Sequence, residues 1–194
     1  MRPLLFLTAT LTVAADAPAP DKKPAWWDKA VKKVEATFEP AEAKPGQTVT
    51  LKLTVELHDG YYTYPTRQED KNAEGMVNKL VFPDAGALVF VDETVNPLDY
   101  LTKAEPLLGI RDLRYYQKKV VYERKAVVRP TQKPGAVTVT VKEFGLTVCD
   151  ANSCYPARKL TPTAKLKVLD GPAVPVEAKY ADEVRKATQP SRDR

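Results

Sequence analysis

Hydrophobic and polar residues alternate strictly along residues 49–57. The apolar positions are Val49, Leu51, Leu53, Val55 and Leu57, and a threonine, lysine or glutamate stands between each pair of them. A period of two residues places one face of a strand on a core and the other in water. The segment therefore predicts a half-buried β-strand in an antiparallel sheet.

Shorter apolar runs with the same character recur along the chain, and prolines and glycines separate them. Further strands are predicted at residues 34–39, 79–82, 118–128, 136–148 and 162–169. No long segment between residues 34 and 169 has a helical period. Several short strands separated by turns are typical of an antiparallel sandwich. We therefore predict an all-β fold, an immunoglobulin-like antiparallel β-sandwich, with a closed barrel as the alternative.

Three segments have a less regular pattern. Residues 92–116 contain two prolines and a glycine without a clear period, which predicts a long irregular connection of the kind that is often functional. Trp26 and Trp27 are compatible with a short helix or with an apolar docking segment. Residues 176–187 are compatible with a short helix.

The N-terminus has the pattern of a secretory signal peptide. A positive charge at Arg2 precedes an apolar run over residues 3–13 and the small pair Ala14 and Ala15. The run is too short to span a bilayer, and the alternative is a buried N-terminal strand. We expect cleavage near Ala15 and a periplasmic, monomeric mature protein with no membrane span. The expected organisation is a signal peptide at 1–15, a linker and short N-terminal segment at 16–33, the sandwich domain at 34–170 and a C-terminal tail at 171–194.

Charge is distributed along the whole chain. The net charge of +5 arises from 30 basic and 25 acidic residues, and no basic cluster is interleaved with aromatic residues. This distribution indicates a solvated surface of mixed charge and argues against a nucleic-acid-binding protein.

The chain contains two cysteines, Cys149 and Cys154, with four residues of turn-forming character between them. Such a loop places the two cysteines opposite each other in a hairpin. Facing residues of antiparallel strands have Cα atoms about 4.5–5.5 Å apart, within reach of a disulfide. His58 is the sole histidine, so a zinc site lacks ligands, and we expect neither a metal nor another cofactor.

From the residues alone, the cysteine pair has two interpretations. In exported proteins a pair of cysteines most often forms a structural disulfide. A loop of about six residues, however, stabilises the folded state by only about 2 kcal/mol in loop-entropy terms, against nearly 5 for a loop of about 100 residues. A domain of this size can also fold without a disulfide. A close pair on a turn suits thiol–disulfide exchange, and both interpretations remain open at this point.

Three segments together resemble the N-terminal periplasmic domain of the thiol:disulfide interchange protein DsbD. They are residues 58–64, with the order His-Asp-Gly-Tyr-Tyr-Thr-Tyr, residues 115–124, which begin with Tyr-Tyr, and residues 149–156, in which the cysteine pair encloses Asp-Ala and is followed by Tyr-Pro. They occur in the family's order. The resemblance covers roughly residues 34–170.

The resemblance implies an immunoglobulin-like fold with the two cysteines on a protruding hairpin. It also implies a thiol:disulfide oxidoreductase of the protein-disulfide reductase type, which relays reducing equivalents between thioredoxin-like proteins through the Cys149–Cys154 disulfide. Cys154 would attack or be attacked in the mixed disulfide, and Cys149 would then resolve it.

The resemblance further assigns the aromatic residues around the pair. Tyr115, with Tyr116 beside it, would form a cap that shields the disulfide until a partner displaces it. Tyr62 and Tyr64 would line the site.

Several departures from the family bear on these expectations. The loop between the cysteines is one residue shorter than in the best-known members, and the cap aromatic is tyrosine instead of phenylalanine. The approach to the cap, residues 111–114, is basic where theirs is acidic, and nearby arginine would favour a thiolate. We expect a free-standing domain that receives electrons from a separate protein. The alternative function is a non-enzymatic, immunoglobulin-like protein-binding module with a structural disulfide, using residues 92–116 and 61–64.

Overall fold

The computed structural model of the protein describes residues 23–189. The predicted signal peptide, residues 16–22 of the predicted linker segment and the last five residues of the tail lie outside this range. Within it the chain forms fourteen β-strands: β1 (Val31–Glu39), β2 (Glu42–Ala43), β3 (Thr48–Leu57), β4 (Tyr62–Thr63), β5 (Lys79–Val81), β6 (Leu88–Val95), β7 (Leu101–Glu105), β8 (Ile110–Gln117), β9 (Lys119–Val128), β10 (Gly135–Thr140), β11 (Glu143–Leu146), β12 (Val148–Cys149), β13 (Arg158–Leu160) and β14 (Thr163–Val168).

The helices of the described range are short. They are α1 (Trp27–Ala30), α2 (Ala181–Thr188) and three 3₁₀ turns at Lys71–Ala73, Pro106–Leu108 and Ala178–Tyr180. The last turn and α2 lie where the sequence predicts a short C-terminal helix. None of the helices in residues 23–189 combines the length and apolar character that a membrane crossing requires.

The strands hydrogen-bond into four small sheets. Their strand orders are β1-β3-β9-β6, β10-β14-β2, β13-β11-β5 and β12-β4-β8-β7. The pairs within the sheets are antiparallel except β14 with β2, which is parallel. The fourth sheet carries the first cysteine, Cys149, at the end of β12.

One core joins the sheets. The predicted apolar face of β3 is buried along its whole length, because every second residue from Val49 to Leu57 points inward. Leu166 of β14 and Phe144 of β11 enter the same hydrophobic cluster from other sheets. The prediction of an all-β antiparallel sandwich is confirmed.

The predicted single strand at residues 136–148 is wrong. The segment forms β10, β11 and β12, which pair with β14, with β13 and β5, and with β4 respectively. The apolar side chains Val139, Phe144 and Val148 enter the core from three different sheets. The chain must therefore pass from one sheet to another twice within this segment. This change of sheet directs β12 to the edge where the cysteines lie.

The prediction of an irregular connection at residues 92–116 is also wrong. The segment contains the hairpin β7–β8, in which Leu101 pairs with Tyr115 and Glu105 pairs with Ile110 across a register shift. The turn closes at Gly109, whose φ of 67° lies in the left-handed region that glycine tolerates. The two prolines and the register shift obscure the alternating pattern that usually predicts a hairpin.

Candidate active site at the cysteine hairpin

Cys149 and Cys154 form a disulfide at the hairpin that the sequence predicts. They face each other across an antiparallel bridge, with their Cα atoms 3.9 Å apart, closer than the spacing expected from the strand pattern. The Tyr155 N–H donates to the Val148 carbonyl at 2.9 Å, and the Asp150 N–H donates to the Ser153 carbonyl at 2.9 Å. Backbone hydrogen bonds therefore close the loop around the disulfide.

The Asp150 side chain organises the loop between the cysteines. Its Oδ1 accepts the N–H groups of Asn152, at 2.8 Å, and of Ser153, at 3.0 Å, while its Oδ2 accepts the Tyr155 hydroxyl at 2.8 Å. These hydrogen bonds hold the pKa of Asp150 below its usual range. The bond from the Asn152 N–H contributes most, and the bond from the Tyr155 hydroxyl is second. The same bond to Asp150 raises the pKa of Tyr155 to about 12. At neutral pH the pair is therefore a carboxylate that accepts a hydrogen bond from a phenol.

The two cysteines differ in accessibility. Cys149 is 0% exposed and packs in a small hydrophobic cluster, whereas Cys154 is exposed to solvent. An incoming thiolate must approach a disulfide sulfur directly, so access determines which sulfur is attacked. In this hairpin Cys154 is the accessible residue of the pair.

Tyr64 places its hydroxyl group beside the disulfide, at the same distance from each sulfur atom. The oxygen lies 3.3 Å from the Sγ of Cys154 and 3.3 Å from the Sγ of Cys149. Disulfide sulfurs carry no hydrogen, so the phenol is the donor. Burial, assisted by the neighbouring Tyr62, raises the pKa of Tyr64, which keeps the hydroxyl protonated. The same hydroxyl is in position to donate to a thiolate after the disulfide opens.

Tyr62 and Lys103 extend the site from β4 to β7. The Tyr62 ring meets the Tyr64 ring edge-on, with centroids 5.8 Å apart. Lys103 Nζ donates to the Tyr62 hydroxyl at 3.0 Å and forms an ion pair with Glu105 at 2.8 Å. Lys103 thus ties the hairpin β7–β8 to the site tyrosines.

The two predicted cap tyrosines occupy different places. Tyr115 is half-buried, and its ring meets that of Tyr62 edge-on at 5.1 Å, so it lies one ring away from Tyr64. Its shielding of the disulfide stays a prediction. Tyr116 points into the main core and donates its hydroxyl to the Pro97 carbonyl at 2.8 Å. Its burial departs from the expectation that it forms the cap with Tyr115, because neighbouring strand residues point to opposite faces.

Arg114, one of the two arginines of the cap approach, is engaged elsewhere. Arg114 pairs with Asp112 at 3.2 Å and with Glu69 at 3.6 Å, and its guanidinium stacks on the Tyr100 ring at 4.6 Å. The expected influence of arginine on the thiolate therefore lacks support in these contacts. A cation that does contact the site tyrosines is Lys103.

A buried amide behind the site joins the strands that carry it. Asn78 Nδ2 donates to the Tyr64 carbonyl and to Thr63 Oγ1, both at 2.8 Å, and Asn78 Oδ1 accepts the Thr147 N–H at 2.8 Å. These bonds hold β4 against the chain that enters β12. Nothing in the local sequence around Asn78 indicates this role.

Aromatic residues on the outer side of the hairpin were also missing from the sequence-based site. Trp26 stacks on Tyr155 with centroids 4.6 Å apart and planes 10° from parallel. Tyr61 lies 6.4 Å from Tyr155 on the same side. The adjacent Trp-Trp pair and the tyrosine after the second cysteine were the available signals, but the contact between them depends on the fold.

Comparisons with known proteins assign no family. No protein-family model matches the chain, and no curated protein matches it. A similar solved structure is the crystal structure of the N-terminal periplasmic domain of ScsB from Proteus mirabilis, with a TM-score of 0.38 and 16% sequence identity. The match covers 76% of this chain and spans half, 50%, of that chain. At this level of similarity it transfers neither a family nor an activity to this chain.

Proposed function

We propose that the protein performs thiol–disulfide interchange through the Cys149–Cys154 disulfide and relays reducing equivalents between thioredoxin-like proteins in the periplasm. The observation that carries the proposal is the asymmetry of the pair. One cysteine is exposed and the other is buried, and the hydroxyl of buried Tyr64 lies 3.3 Å from both sulfur atoms. Such an arrangement has a point of attack, a leaving group and a donor to stabilise that leaving group.

The first step opens the disulfide. A thiolate of a reduced partner attacks Cys154 Sγ, a new disulfide forms between partner and Cys154, and the Cys149–Cys154 bond breaks. The electron pair leaves on Cys149 Sγ as a thiolate. The Tyr64 hydroxyl donates to that sulfur, and a hydrogen bond to an ionised group is stronger than one to a neutral group. The product is a mixed disulfide with Cys154.

The second step releases the partner. The partner's other thiolate attacks its own sulfur in the mixed disulfide, and the electron pair leaves on Cys154 Sγ. The partner is then oxidised to a disulfide, and this chain, after uptake of two protons, holds a dithiol. Reversal of both steps reduces an oxidised second partner, so the pair transfers two electrons in either direction.

A purely structural disulfide at this position would add little stability to the hairpin. Backbone hydrogen bonds at Asp150 and Tyr155 already close the loop, and Asp150 holds it from inside. A disulfide across so short a loop removes little entropy from the unfolded chain, about 2 kcal/mol. This argument supports exchange over a structural role.

Export through the predicted signal peptide belongs to the same proposal, because thioredoxin-like partners of this kind are expected in the periplasm. The mature chain would begin near Asp16, after cleavage near Ala15. Mass measurement of the protein recovered from a periplasmic fraction tests this, and an intact N-terminus at Met1 would contradict it.

A pair of trapping variants tests the function. In Cys149→Ser, the exposed Cys154 thiolate attacks an oxidised partner, and the resolving thiol is absent, so a mixed disulfide accumulates in extract. The matched variant Cys154→Ser keeps only a buried thiol and should trap little. Equal trapping by both variants, or none by either, would contradict the proposal. A non-enzymatic binding module instead predicts that Cys154→Ser retains partner binding.

A further inference from the structure

Tyr155 makes contacts that the exchange steps above leave unused. Its hydroxyl donates to Asp150 Oδ2 at 2.8 Å, and its ring stacks against Trp26 at 4.6 Å. Asp150 directly follows Cys149, and Tyr155 directly follows Cys154. The Tyr155–Asp150 bond therefore links the two arms of the hairpin immediately beside the disulfide.

We propose that Trp26, Tyr155 and Asp150 form a brace that keeps the dithiol hairpin in the geometry of the disulfide. The brace acts as a set of positioning residues: it raises the effective concentration of Cys149 toward Cys154. The inference rests on the proposed exchange function and deepens it. Its consequence is fast resolution of mixed disulfides and a more stable disulfide relative to the dithiol.

The reason lies in what remains when the disulfide opens. The covalent link between the arms is lost, and the loop of residues 150–153 must then be held by hydrogen bonds. Asp150 supplies them on the inside, through the N–H groups of Asn152 and Ser153. Tyr155 adds the bond across the arms. An intramolecular reaction gains rate when the reacting groups are held close together, so a rigid hairpin favours attack of one cysteine on the other.

Trp26 supports the Tyr155 ring from outside, and its own position is fixed by its neighbour. Trp27 is buried, with the Arg158 guanidinium 4.6 Å above its ring, and it begins α1, which leads directly into β1. Trp26 is thereby held to the core while its ring lies nearly parallel to that of Tyr155. Stacked aromatic pairs of this kind are attractive beyond the area they bury. The stack restrains Tyr155 on the side away from Asp150.

The brace affects a defined chemical step. In a mixed disulfide between Cys154 and glutathione, the Cys149 thiolate attacks Cys154 Sγ, the Cys149–Cys154 bond forms, and the electron pair leaves on the glutathione sulfur. A loosened hairpin moves Cys149 away from Cys154 more of the time. The mixed disulfide then persists longer, and the equilibrium shifts from the intramolecular disulfide toward the glutathione adduct.

The test uses the mature chain in glutathione redox buffers with three variants: Tyr155→Phe, Trp26→Ala and Trp26→Phe. We measure the equilibrium constant between the dithiol and disulfide states and the lifetime of the glutathione mixed disulfide. Tyr155→Phe keeps the ring and removes the hydroxyl. It should lower the equilibrium constant for forming the disulfide from the dithiol roughly threefold or more, the size expected for one lost hydrogen bond. Trp26→Ala should likewise lower this equilibrium constant, and it should lengthen the lifetime of the mixed disulfide. Trp26→Phe should restore both to the wild-type values.

The matched control is Tyr180→Phe. It removes another tyrosine–aspartate hydrogen bond, from Tyr180 to Asp92 at 2.5 Å, in a hydrophobic cluster separate from that of Cys149. It should leave both redox quantities unchanged. Because Trp26 is partly exposed, its variants retain the buried core even if a Tyr155 variant lowers stability.

The outcomes separate the brace from the function beneath it. If the wild-type chain exchanges with glutathione while Tyr155→Phe and Trp26→Ala leave both constants at the wild-type values, the brace is wrong and the exchange function stands. If the wild-type chain itself fails to form a mixed disulfide, the exchange function fails and the brace falls with it. Shifts in the Tyr155 and Trp26 variants, with none in Tyr180→Phe, support the brace.

Discussion

At the residue scale, the hydroxyl of Tyr64 is the group best placed to influence how the disulfide opens. It lies within 3.3 Å of both sulfurs and stays protonated because burial raises its pKa. Tyr64→Phe should slow reduction by dithiothreitol roughly tenfold, since the leaving Cys149 thiolate loses a donor. Stopped-flow measurement at neutral pH checks this. Tyr116→Phe, which removes a hydroxyl bonded to Pro97, serves as the control; equal rates in the two variants would argue against the role of Tyr64.

The difference in exposure between the cysteines leads to a second prediction. In the reduced protein, Cys154 should react with iodoacetamide roughly tenfold or more faster than Cys149, because thiol reactivity requires access of the reagent. Peptide mass analysis at partial labelling separates the two sites. Comparable labelling of both residues would mean that the burial of Cys149 in the disulfide state does not persist in the dithiol.

At the element scale, the hairpin β7–β8 lies against the site through Tyr115 and Lys103. Tyr115 contacts Tyr62, and Lys103 bonds the Tyr62 hydroxyl. If Tyr115 shields the pair, Tyr115→Ala should raise the rate of reduction by dithiothreitol roughly threefold, because local opening exposes the sulfurs more often. Tyr100→Ala removes a ring that directly precedes β7 and stacks on Arg114 instead. A Tyr115 variant that behaves like this control would mean that the ring only packs.

Elements with one buried face could be predicted from the sequence, and elements that change sheets could not. The alternation in β3 persists over ten residues because a single face of the strand meets the core. In residues 136–148 the apolar positions alternate up to Val141, shift by one residue across Lys142, where the chain leaves β10 for β11, and then alternate unchanged across Thr147 into β12. Periodicity reports which side of a strand is apolar, but not which strand lies beside it.

The candidate site divides in the same way. The two cysteines lie close to each other in sequence, and so do Tyr62 and Tyr64, so spacing and resemblance identify each of the two pairs. Lys103, Asn78 and Trp26 reach the site from distant segments through tertiary contacts. No local pattern marks such residues, because their role depends on how the sheets pack.

At the scale of the whole molecule, buried tyrosines link stability to alkaline pH. Tyr122 is fully buried, donates to the Tyr64 carbonyl at 2.6 Å, and has its hydroxyl oxygen 2.7 Å from Asn78 Nδ2. Burial raises its pKa above the unfolded value of 10.0. Its contribution is therefore complete below about pH 10 and is lost as the pH rises, at about 1.4 kcal/mol per pH unit.

Urea unfolding at several pH values between 8 and about 12 checks this prediction. The free energy of unfolding should stay level up to about pH 10 and then fall. Tyr122→Phe should show a shallower fall, together with a loss of about 1–2 kcal/mol at neutral pH, because it leaves Asn78 with one partner fewer. An identical alkaline slope in wild type and variant would contradict the assignment.

The reduction potential of the Cys149–Cys154 pair tests the exchange function most directly. It is measured by equilibrating the mature chain with glutathione redox buffers and then with a thioredoxin-like dithiol. We predict a potential above about −300 mV, with a mixed disulfide that forms at Cys154 and transfers electrons to or from the dithiol protein. A potential well below about −300 mV, without exchange with the thioredoxin-like protein, would identify a structural disulfide and contradict the proposed function.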